Sequence, residues 1–293
     1  MKPFAFAVPD TLDEVLELLA PGGPSTRLLA GGTDLIVRLR SGRAVPERVV
    51  DIKRVQGLSR EIDEVDGALR FGARVTMTTI TSDARVRRHF PALVEAAMVV
   101  GSVQIRNRAT LTGNICNASP AADTAPSLLV YGALVNVVGP AGGRRVPLTD
   151  FFVGPGRTVL QPGELVSSID LPLPTQPSGA AFARVTRRRG VDLATINLCA
   201  LVNDRGESRI AFGAVAPTPV LAIDGGAIVA TIGARPADFS AAIRPLLAKT
   251  HPIDDVRGSR EYRLAMLDVM TRRVLAAALD RLRSGPGSKE SRS

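Results

Sequence analysis

Two segments of the sequence are rich in groups that bind oxygen anions. The first is residues 28–35, Leu-Leu-Ala-Gly-Gly-Thr-Asp-Leu, in which a short apolar run enters a Gly-Gly turn. Glycine accepts a positive φ and lets a ligand approach peptide N–H groups, and successive N–H groups form an anion-binding nest to which Thr33 adds a hydroxyl. A tight turn without any ligand explains the same residues, so this segment alone leaves both interpretations open.

The second segment is residues 108–123, Arg-Ala-Thr-Leu-Thr-Gly-Asn-Ile-Cys-Asn-Ala-Ser-Pro-Ala-Ala-Asp. It is polar but poor in charge, and its hydroxyls, amides and backbone groups are typical of a binding loop. A long segment without a clear helix or strand pattern is usually functional or disordered. Two segments that both offer N–H donors predict one site for a diphosphate, in which Asp123 accepts hydrogen bonds from a ribose or another polyol.

The other reactive side chains do not form a recognisable catalytic or metal site. The chain has two cysteines, Cys116 and Cys199, and two histidines, His89 and His251, none at zinc-ligand spacing. Two thiols cannot hold an Fe–S cluster on four thiolates. We expect both cysteines to be buried small apolar residues. Neither histidine has a recognisable Ser or Asp partner, so we assign no catalytic residue and no metal ligand.

Composition is that of a globular protein of one large or two smaller domains. The 293 residues are 45% hydrophobic and 22% charged, with a net charge of +9. This basic charge makes a nucleic-acid-binding module an alternative, although 4% aromatic residues and no Trp would supply a poor base-stacking platform. With few cysteines, no signal peptide and no run of about 20 apolar residues, the expected location is the cytoplasm and no membrane span is expected.

Hydrophobic periodicity and turn residues predict a mixed helix and strand order. The expected helices cover residues 10–19, 91–100, 124–131, 236–248 and 259–282. The expected strands cover residues 27–30, 48–52, 69–73, 180–187, 195–203 and 209–215, with a hairpin of 134–138 and 145–148. The opening resembles a βαβ unit, Pro172 to Gly179 is the best linker, and the three later strands suggest an antiparallel meander with helices packed on it.

Three motifs in a fixed order connect the sequence to a known family. They are Ala-Gly-Gly-Thr-Asp-Leu at 30–35, the run from Ile105 to Asp123, and Phe-Ala-Arg-Val-Thr-Arg-Arg-Arg-Gly-Val-Asp-Leu-Ala at 182–194. Together they resemble the FAD-binding, or medium, subunit of the xanthine dehydrogenase and carbon monoxide dehydrogenase family of molybdenum hydroxylases. The resemblance covers roughly Phe4 to Leu282.

The resemblance implies an α+β fold in two domains. Residues 1–175 would form a two-subdomain FAD-binding domain of the vanillyl-alcohol-oxidase (PCMH) type. Residues 179–283 would form a C-terminal antiparallel sheet with packed helices, like the C-terminal domain of carbon monoxide dehydrogenase flavoproteins. Residues 284–293, rich in Gly, Ser and Pro, are predicted to be a disordered tail.

The same resemblance implies the cofactor, its ligands and the partners. FAD would be bound non-covalently, with Arg184 near the cofactor and Leu193 over the flavin ring. The implied FAD-binding residues are Leu29, Ala30, Gly31, Gly32, Thr33, Asp34, Leu35, Thr110, Leu111, Thr112, Gly113, Asn114, Asp123, Arg184 and Leu193. A molybdopterin-binding large subunit and a small subunit with [2Fe–2S] clusters would be partners, and electrons would leave to NAD, quinone or oxygen. The alternatives are a self-contained FAD-dependent NAD(P)H oxidoreductase and the nucleic-acid-binding module.

Overall fold

The computed structural model describes residues 1–22, 25–231 and 236–285. Most of the predicted tail, residues 286–293, lies outside this range. The buried apolar side chains form three clusters that follow one another along the chain. Each cluster is covered by one of the three larger sheets, so the molecule has three successive α+β parts.

The first part is a three-stranded parallel sheet. Its elements are β1 (Ala5–Ala7), α1 (Leu12–Gly22), β2 (Thr26–Leu29), α2 (Leu35–Arg40) and β3 (Arg48–Asp51). The strand order is β1-β3-β2, and both pairs are parallel. Because parallel strands end at the same edge of a sheet, Leu29 at the end of β2 is in register with Asp51 at the end of β3.

Helix α1 covers this sheet with the face that its sequence predicts. Val15 and Leu19 are buried, and Leu12 and Leu16 pack beside them in the same core cluster. The spacing i, i+3, i+4, i+7 places all four on one side of a helix. The Thr11 hydroxyl accepts a hydrogen bond from the backbone N–H of Glu14 at 3.3 Å, so Thr11 rather than the expected Asp10 begins the helix.

The middle part is a five-stranded antiparallel sheet with helices on one face. The strand order is β4-β5-β10-β6-β7, and a separate two-stranded ribbon pairs β8 with β9. The strands are β4 (Ile62–Val65), β5 (Ala68–Gly72), β6 (Leu134–Gly139), β7 (Gly142–Pro147), β8 (Phe152–Gly154), β9 (Arg157–Thr158) and β10 (Leu165–Pro172). The helices are α3 (Met77–Ser82), α4 (Ala84–His89), α5 (Pro91–Met98), α6 (Val103–Arg106), α7 (Leu111–Cys116), α8 (Thr124–Val130) and α9 (Leu148–Phe151).

The C-terminal part is a four-stranded antiparallel meander with a long helix. Strands follow chain order in the sheet: β11 (Ser178–Val185), β12 (Ile196–Asn203), β13 (Ser208–Gly213) and β14 (Val220–Asp224). The helices are α10 (Ala227–Thr231), α11 (Pro236–Leu247) and α12 (Arg260–Ser284). The Ser259 hydroxyl begins α12 by accepting a hydrogen bond from the Tyr262 N–H at 3.1 Å.

Both faces of the C-terminal sheet are buried. Along β12, Leu198, Ala200 and Val202 point to the core shared with α11 and α12, whereas Cys199 belongs to the core of the middle part. Alternate residues of a strand face opposite sides, so this sheet is the layer between α12 and helices α5 and α8. Side chains of the C-terminal part therefore reach segment 108–123.

Three features of the middle and C-terminal parts differ from expectation. Residues 102–123 lack a clear periodic pattern, yet they contain α6 and α7, which are too short to show one. Strand β10 escaped prediction because a bulge between Val166 and Ser168 breaks its alternation. Strands β4 and β14 and the ribbon of β8 and β9 are also additional.

Candidate functional site

The Gly-Gly turn leaves a run of backbone donors free of protein acceptors. Strand β2 ends at Leu29, Gly32 has φ +78°, and α2 begins at Leu35. Among the described residues, no acceptor lies within hydrogen-bond distance of the N–H groups of residues 31–35. Four of these five residues are half-buried and Asp34 is exposed. Because half-buried N–H groups are normally paired, this run of open donors indicates a site for an oxygen-rich ligand.

Gly31 is required by packing between the two predicted segments. A Cβ atom on Gly31 would lie 2.1 Å from the backbone oxygen of Arg108, so only glycine allows this approach. The Asn117 side-chain amide also donates to Asp34 Oδ1 at 3.2 Å. The structure thus brings the two segments together. Asp34 serves this contact and does not cap α2 with its side chain.

The second segment enters the site through the start of α7. Thr110 precedes the helix, and its hydroxyl accepts from the Gly113 N–H at 3.0 Å. Leu111 is fully buried in the middle core, and the Asn114 side-chain oxygen accepts from the Thr124 hydroxyl at 2.7 Å. Thr112 is helical and buried, and its hydroxyl has no partner within the described structure. The expected loop residues are therefore held in place by a helix.

Asp123 is buried in a cluster that reaches across three strands of the C-terminal sheet. Arg184 Nη1 lies 2.8 Å from Asp123 Oδ2, and the Asn197 amide donates to Asp123 Oδ1 at 3.0 Å. Arg184 and Asn197 are opposite each other in β11 and β12, and Gly213 is opposite Asn197 in β13. A Cβ on Gly213 would lie 2.0 Å from Asn197 Oδ1, so glycine there makes room for the amide.

Burial controls the charge of Asp123. It raises the pKa of this carboxyl above the ordinary value, against the opposing effects of the Asn197 hydrogen bond and the Arg184 charge. Asp123 stands at the N-terminus of α8, but its side chain does not cap that helix. The carboxylate faces Arg184 and Asn197 instead, and it retains lone pairs that can accept hydroxyl donors.

Leu193 lies beside this cluster and is exposed to solvent. Its side chain is 59% exposed, and the neighbouring Asp192 carbonyl accepts from Arg184 Nη1 at 3.5 Å. A leucine this exposed next to a polar site is available to cover a flat ligand. Three consecutive arginines, residues 187–189, follow β11. Among them, Arg187 pairs with Asp192 at 2.9 Å on the surface.

A cavity of about 240 Å³ opens where the two segments meet. Its walls come from the Gly-Gly turn, from Thr76 and from residues 107–110, and four of its lining side chains are basic: Lys53, Arg60, Arg74 and Arg108. No sequence motif marks Lys53, Arg60 or Arg74 as site residues, because they are dispersed among other elements. Lys53 is brought to the glycine turn by the register of β2 and β3, a pairing that short apolar runs do not specify.

The two thiols are not reactive groups, and the described acidic side chains do not form a metal site. Both cysteines are free, and burial raises the pKa of the Cys116 thiol to about 12 and that of Cys199 further. These thiols are protonated at neutral pH. Cys199 is buried as predicted, whereas Cys116 is only partly buried. Over the described ranges, no three His, Cys, Asp or Glu side chains come together as a metal site.

Comparisons with known proteins agree with this arrangement of fold and site. The family model "FAD binding domain in molybdopterin dehydrogenase" matches residues 2–174, and "CO dehydrogenase flavoprotein C-terminal domain" matches residues 181–278. The xanthine dehydrogenase FAD-binding subunit of Escherichia coli O157:H7 is 34% identical over 274 residues, covering 92% of this chain and 94% of the relative. The carbon monoxide dehydrogenase medium chain of Hydrogenophaga pseudoflava is 31% identical, covering 94% and 96%.

Solved structures show the same fold over nearly the whole chain. A chain of reconstituted CO dehydrogenase from Oligotropha carboxidovorans superposes with a TM-score of 0.87 at 29% identity, covering 96% of this chain and 99% of that one. A chain of quinoline 2-oxidoreductase from Pseudomonas putida 86 gives 0.87 at 30% identity with the same coverage. The predicted α+β fold class is thereby confirmed.

A three-part α+β chain with these two segments is a FAD-binding flavoprotein subunit. More narrowly, the chain belongs to the family of FAD-binding, or medium, subunits of xanthine and carbon monoxide dehydrogenases, so it is part of an oxidoreductase. In the parts of the chain that the structure describes, no helix is long and apolar enough to cross a membrane.

Proposed function

We propose that the chain is the electron-transfer subunit of a molybdenum hydroxylase complex. It would stand between [2Fe–2S] clusters of a small partner subunit and an external acceptor, which is NAD, quinone or oxygen. A large partner subunit would hold the molybdenum cofactor and the substrate. Support comes from the relatives, which include medium chains and FAD subunits of several dehydrogenases.

The observation that carries the proposed FAD site is the run of five open N–H groups at residues 31–35. The contact of Gly31 with Arg108 brings this turn beside the start of α7, where the Thr112 hydroxyl has no partner among the described residues. A diphosphate offers several oxygen acceptors within a short span, so these donors fit the middle of a dinucleotide. Orphaned donors on both segments are what a cofactor-binding site requires before the cofactor enters.

Each predicted ligand then has a role in binding or orientation. The segments 29–35 and 110–114 would hold the diphosphate and the adjoining flavin edge, Asp123 would accept from the ribityl or ribose hydroxyls, and Arg184 would fix Asp123 close to the flavin. Leu193 would cover the ring and exclude water. FAD supplies the redox chemistry when bound, and the protein supplies binding, orientation and electrostatics.

The domain limits and the cellular location are part of the same proposal. Residues 1–175 would form the FAD domain and residues 179–283 the C-terminal domain, joined by the short connection between β10 and β11. Two free thiols without a disulfide suit a reducing compartment, so we place the complex in the cytoplasm. The basic charge is assigned to ligand and subunit contacts, and no nucleic acid is proposed as a partner.

Substitution of Gly32 tests the proposed FAD site. Because Gly32 has φ +78°, Gly32→Val should distort the open N–H groups, and the purified protein should lose most of its FAD. Gly42→Val is the matched control, since Gly42 has φ +71° in the turn after α2 and no atom within 4 Å of its Cβ position. FAD content is measured by absorbance after acid precipitation, which should release all flavin as FAD from the wild type.

Three outcomes would contradict the proposal. Full flavin content in Gly32→Val would show that the turn binds no cofactor. Flavin retained in the precipitate, or FMN in the supernatant, would contradict non-covalent FAD. A colourless wild-type protein that binds RNA would favour the nucleic-acid alternative.

A further inference from the structure

The basic cavity beside the glycine turn contains cations without counter-charges. Lys53 Nζ is paired with Asp51, and Arg60 with Glu61 at 3.2 Å on the surface. Arg74 and Arg108 have no ion pair with any carboxylate in the described ranges. The cavity therefore has an excess of positive charge next to the run of open N–H groups.

Arg74 is the more buried of the two arginines without an ion pair, and its guanidinium is only partly hydrogen-bonded. It lies just after β5, where its backbone N–H donates to the Ser59 carbonyl at 3.0 Å and its guanidinium donates to the Lys53 carbonyl. Its Nε is buried and has no acceptor within the described structure. A buried guanidinium donor without an acceptor is destabilising, and an anion in the cavity would remove that penalty.

The position of the cavity identifies the chemical class of the anion. Its walls include Ala30 and Gly31 on one side and Thr110 on the other, which are the two segments proposed to hold the diphosphate. A diphosphate carries two negative charges at neutral pH, and the cavity contains two guanidinium groups without ion pairs. Arginine also binds phosphate oxygens in a forked geometry that matches its planar donors.

We infer that Arg74, assisted by Arg108, is a side-chain ligand of the diphosphate of the bound dinucleotide. This inference rests on the proposed FAD site and extends it, because a purely backbone site would bind without side-chain cations. It predicts that FAD affinity depends on ionic strength, since attraction between a cation and a diphosphate is screened by salt.

The experiment measures FAD affinity of the flavin-depleted full-length protein by fluorescence titration. Arg74→Gln should weaken FAD binding by about 10-fold or more, Arg108→Gln by a smaller factor, and Arg74→Lys should restore part of the loss. Raising the salt concentration from about 50 mM to about 500 mM should weaken binding to the wild type more than binding to Arg74→Gln. Arg54→Gln is the matched control, because Arg54 is exposed, adjacent to Lys53 and not part of the cavity wall.

The outcomes separate this inference from the proposed function. If Arg74→Gln and Arg108→Gln both bind FAD as the wild type does, with the same salt dependence, the inference is wrong while the FAD site stands. A wild type that binds no FAD overturns the proposed function itself. If Arg74→Gln fails to fold by circular dichroism, Arg108→Gln decides, because its exposed side chain makes no hydrogen bond within the described structure.

Discussion

The cofactor-binding role proposed for Asp123 comes with a cost in stability. A carboxylate that is buried loses hydration, and at this position Arg184 and Asn197 only partly replace it, so its pKa is raised. The side chain is 8% exposed although it sits at a helix start, where a cap would normally be more favourable. We interpret this arrangement as a carboxylate held in place for hydroxyl donors of the cofactor.

Replacement of Asp123 should change how stability depends on pH. Because the pKa of the folded-state carboxyl lies above the unfolded value, the wild type loses stability as pH rises through the folded pKa, whereas Asp123→Asn has no such group. The difference in unfolding free energy between flavin-free Asp123→Asn and the wild type should therefore shift in favour of the variant as pH rises from the unfolded-state pKa through the folded-state pKa. Urea unfolding at several pH values measures this difference, and FAD affinity should fall in the same variant.

Asp170 provides a control with the opposite sign. Burial raises the pKa of Asp170, but hydrogen bonds from Arg70 and Asn136 and the charge of Arg145 together bring it below the ordinary value. The wild type should therefore gain stability relative to Asp170→Asn as pH rises from the folded-state pKa to the unfolded-state pKa, and the difference should be constant above the unfolded-state pKa. Parallel trends in the two variants would contradict the assigned surroundings of Asp123.

At the scale of elements, close backbone contacts hold the C-terminal part together. Gly179 in β11 lies against α12, and a Cβ there would be 2.0 Å from the Ala278 carbonyl oxygen. The Arg281 side chain of the same helix donates to the Ala180 carbonyl and pairs with Glu95 of α5. Helix α12, strand β11 and helix α5 are thus joined at one place.

Gly179→Ala should destabilise the protein by about 1–3 kcal/mol, because the helix or the strand must move to admit the methyl group. Gly143→Ala is the control, since a Cβ at Gly143 has its nearest neighbour at 3.8 Å. Chemical denaturation of both variants in the FAD-loaded state measures the effect. Equal stability of Gly179→Ala and the wild type would show that α12 can shift without cost.

The elements that the sequence predicts are those with a long, regular apolar pattern. The face of α1, the hairpin of β6 and β7, strands β11 to β13 and helices α11 and α12 follow from periodicity and turn residues. Strand β10 was missed because the bulge between Val166 and Ser168 interrupts its alternation, and because its buried Asp170 is stabilised by Arg70 and Arg145 from other strands. Such pairing depends on strand order, which single-strand patterns do not contain.

The site was predictable only in its backbone segments. The glycine turn and Asp123 stand out as local motifs, and the resemblance contributed Arg184 and Leu193. Asn197 and Arg74 could not be predicted as site residues from sequence, because each contacts a residue distant in the chain. Asn197 donates to Asp123, and Arg74 donates to the Lys53 carbonyl. In the sequence, Gly213 is likewise an ordinary residue at a strand end, and only the pairing with Asn197 in the structure explains why it is glycine.

At the scale of the whole molecule, the proposed cofactor site lies where the three parts meet. The glycine turn belongs to the first part, α7 to the middle part and Arg184 to the C-terminal part. The chain spans 99% of the length of the solved relatives' chains described above. In the proposed complex, chemistry beyond the flavin belongs to the partner subunits.

The isolated chain should not oxidise aldehydes, purines or carbon monoxide, because the proposed complex places molybdenum and the iron–sulfur clusters in other subunits. At most, slow reaction of its flavin with NADH or dyes is expected. Addition of the large and iron–sulfur subunits should restore turnover, which a dye-reduction assay measures. Rapid substrate-dependent flavin reduction by the lone chain would favour the self-contained oxidoreductase.

The contact between Gly31 and Arg108 has a consequence for genetic screens. A methyl group at Gly31 would collide with the protein's own peptide oxygen whether or not a cofactor is bound. A screen scored by cell colour or flavin content would therefore detect Gly31, and Gly213 with it, through lost packing and not only through lost contact with the cofactor. Compensating second-site changes would map to the segments packed against these glycines, which are residues 107–109 and the strand that carries Asn197. Pairs of suppressor mutations would therefore identify the packing contacts that assemble the site and not the contacts with the cofactor.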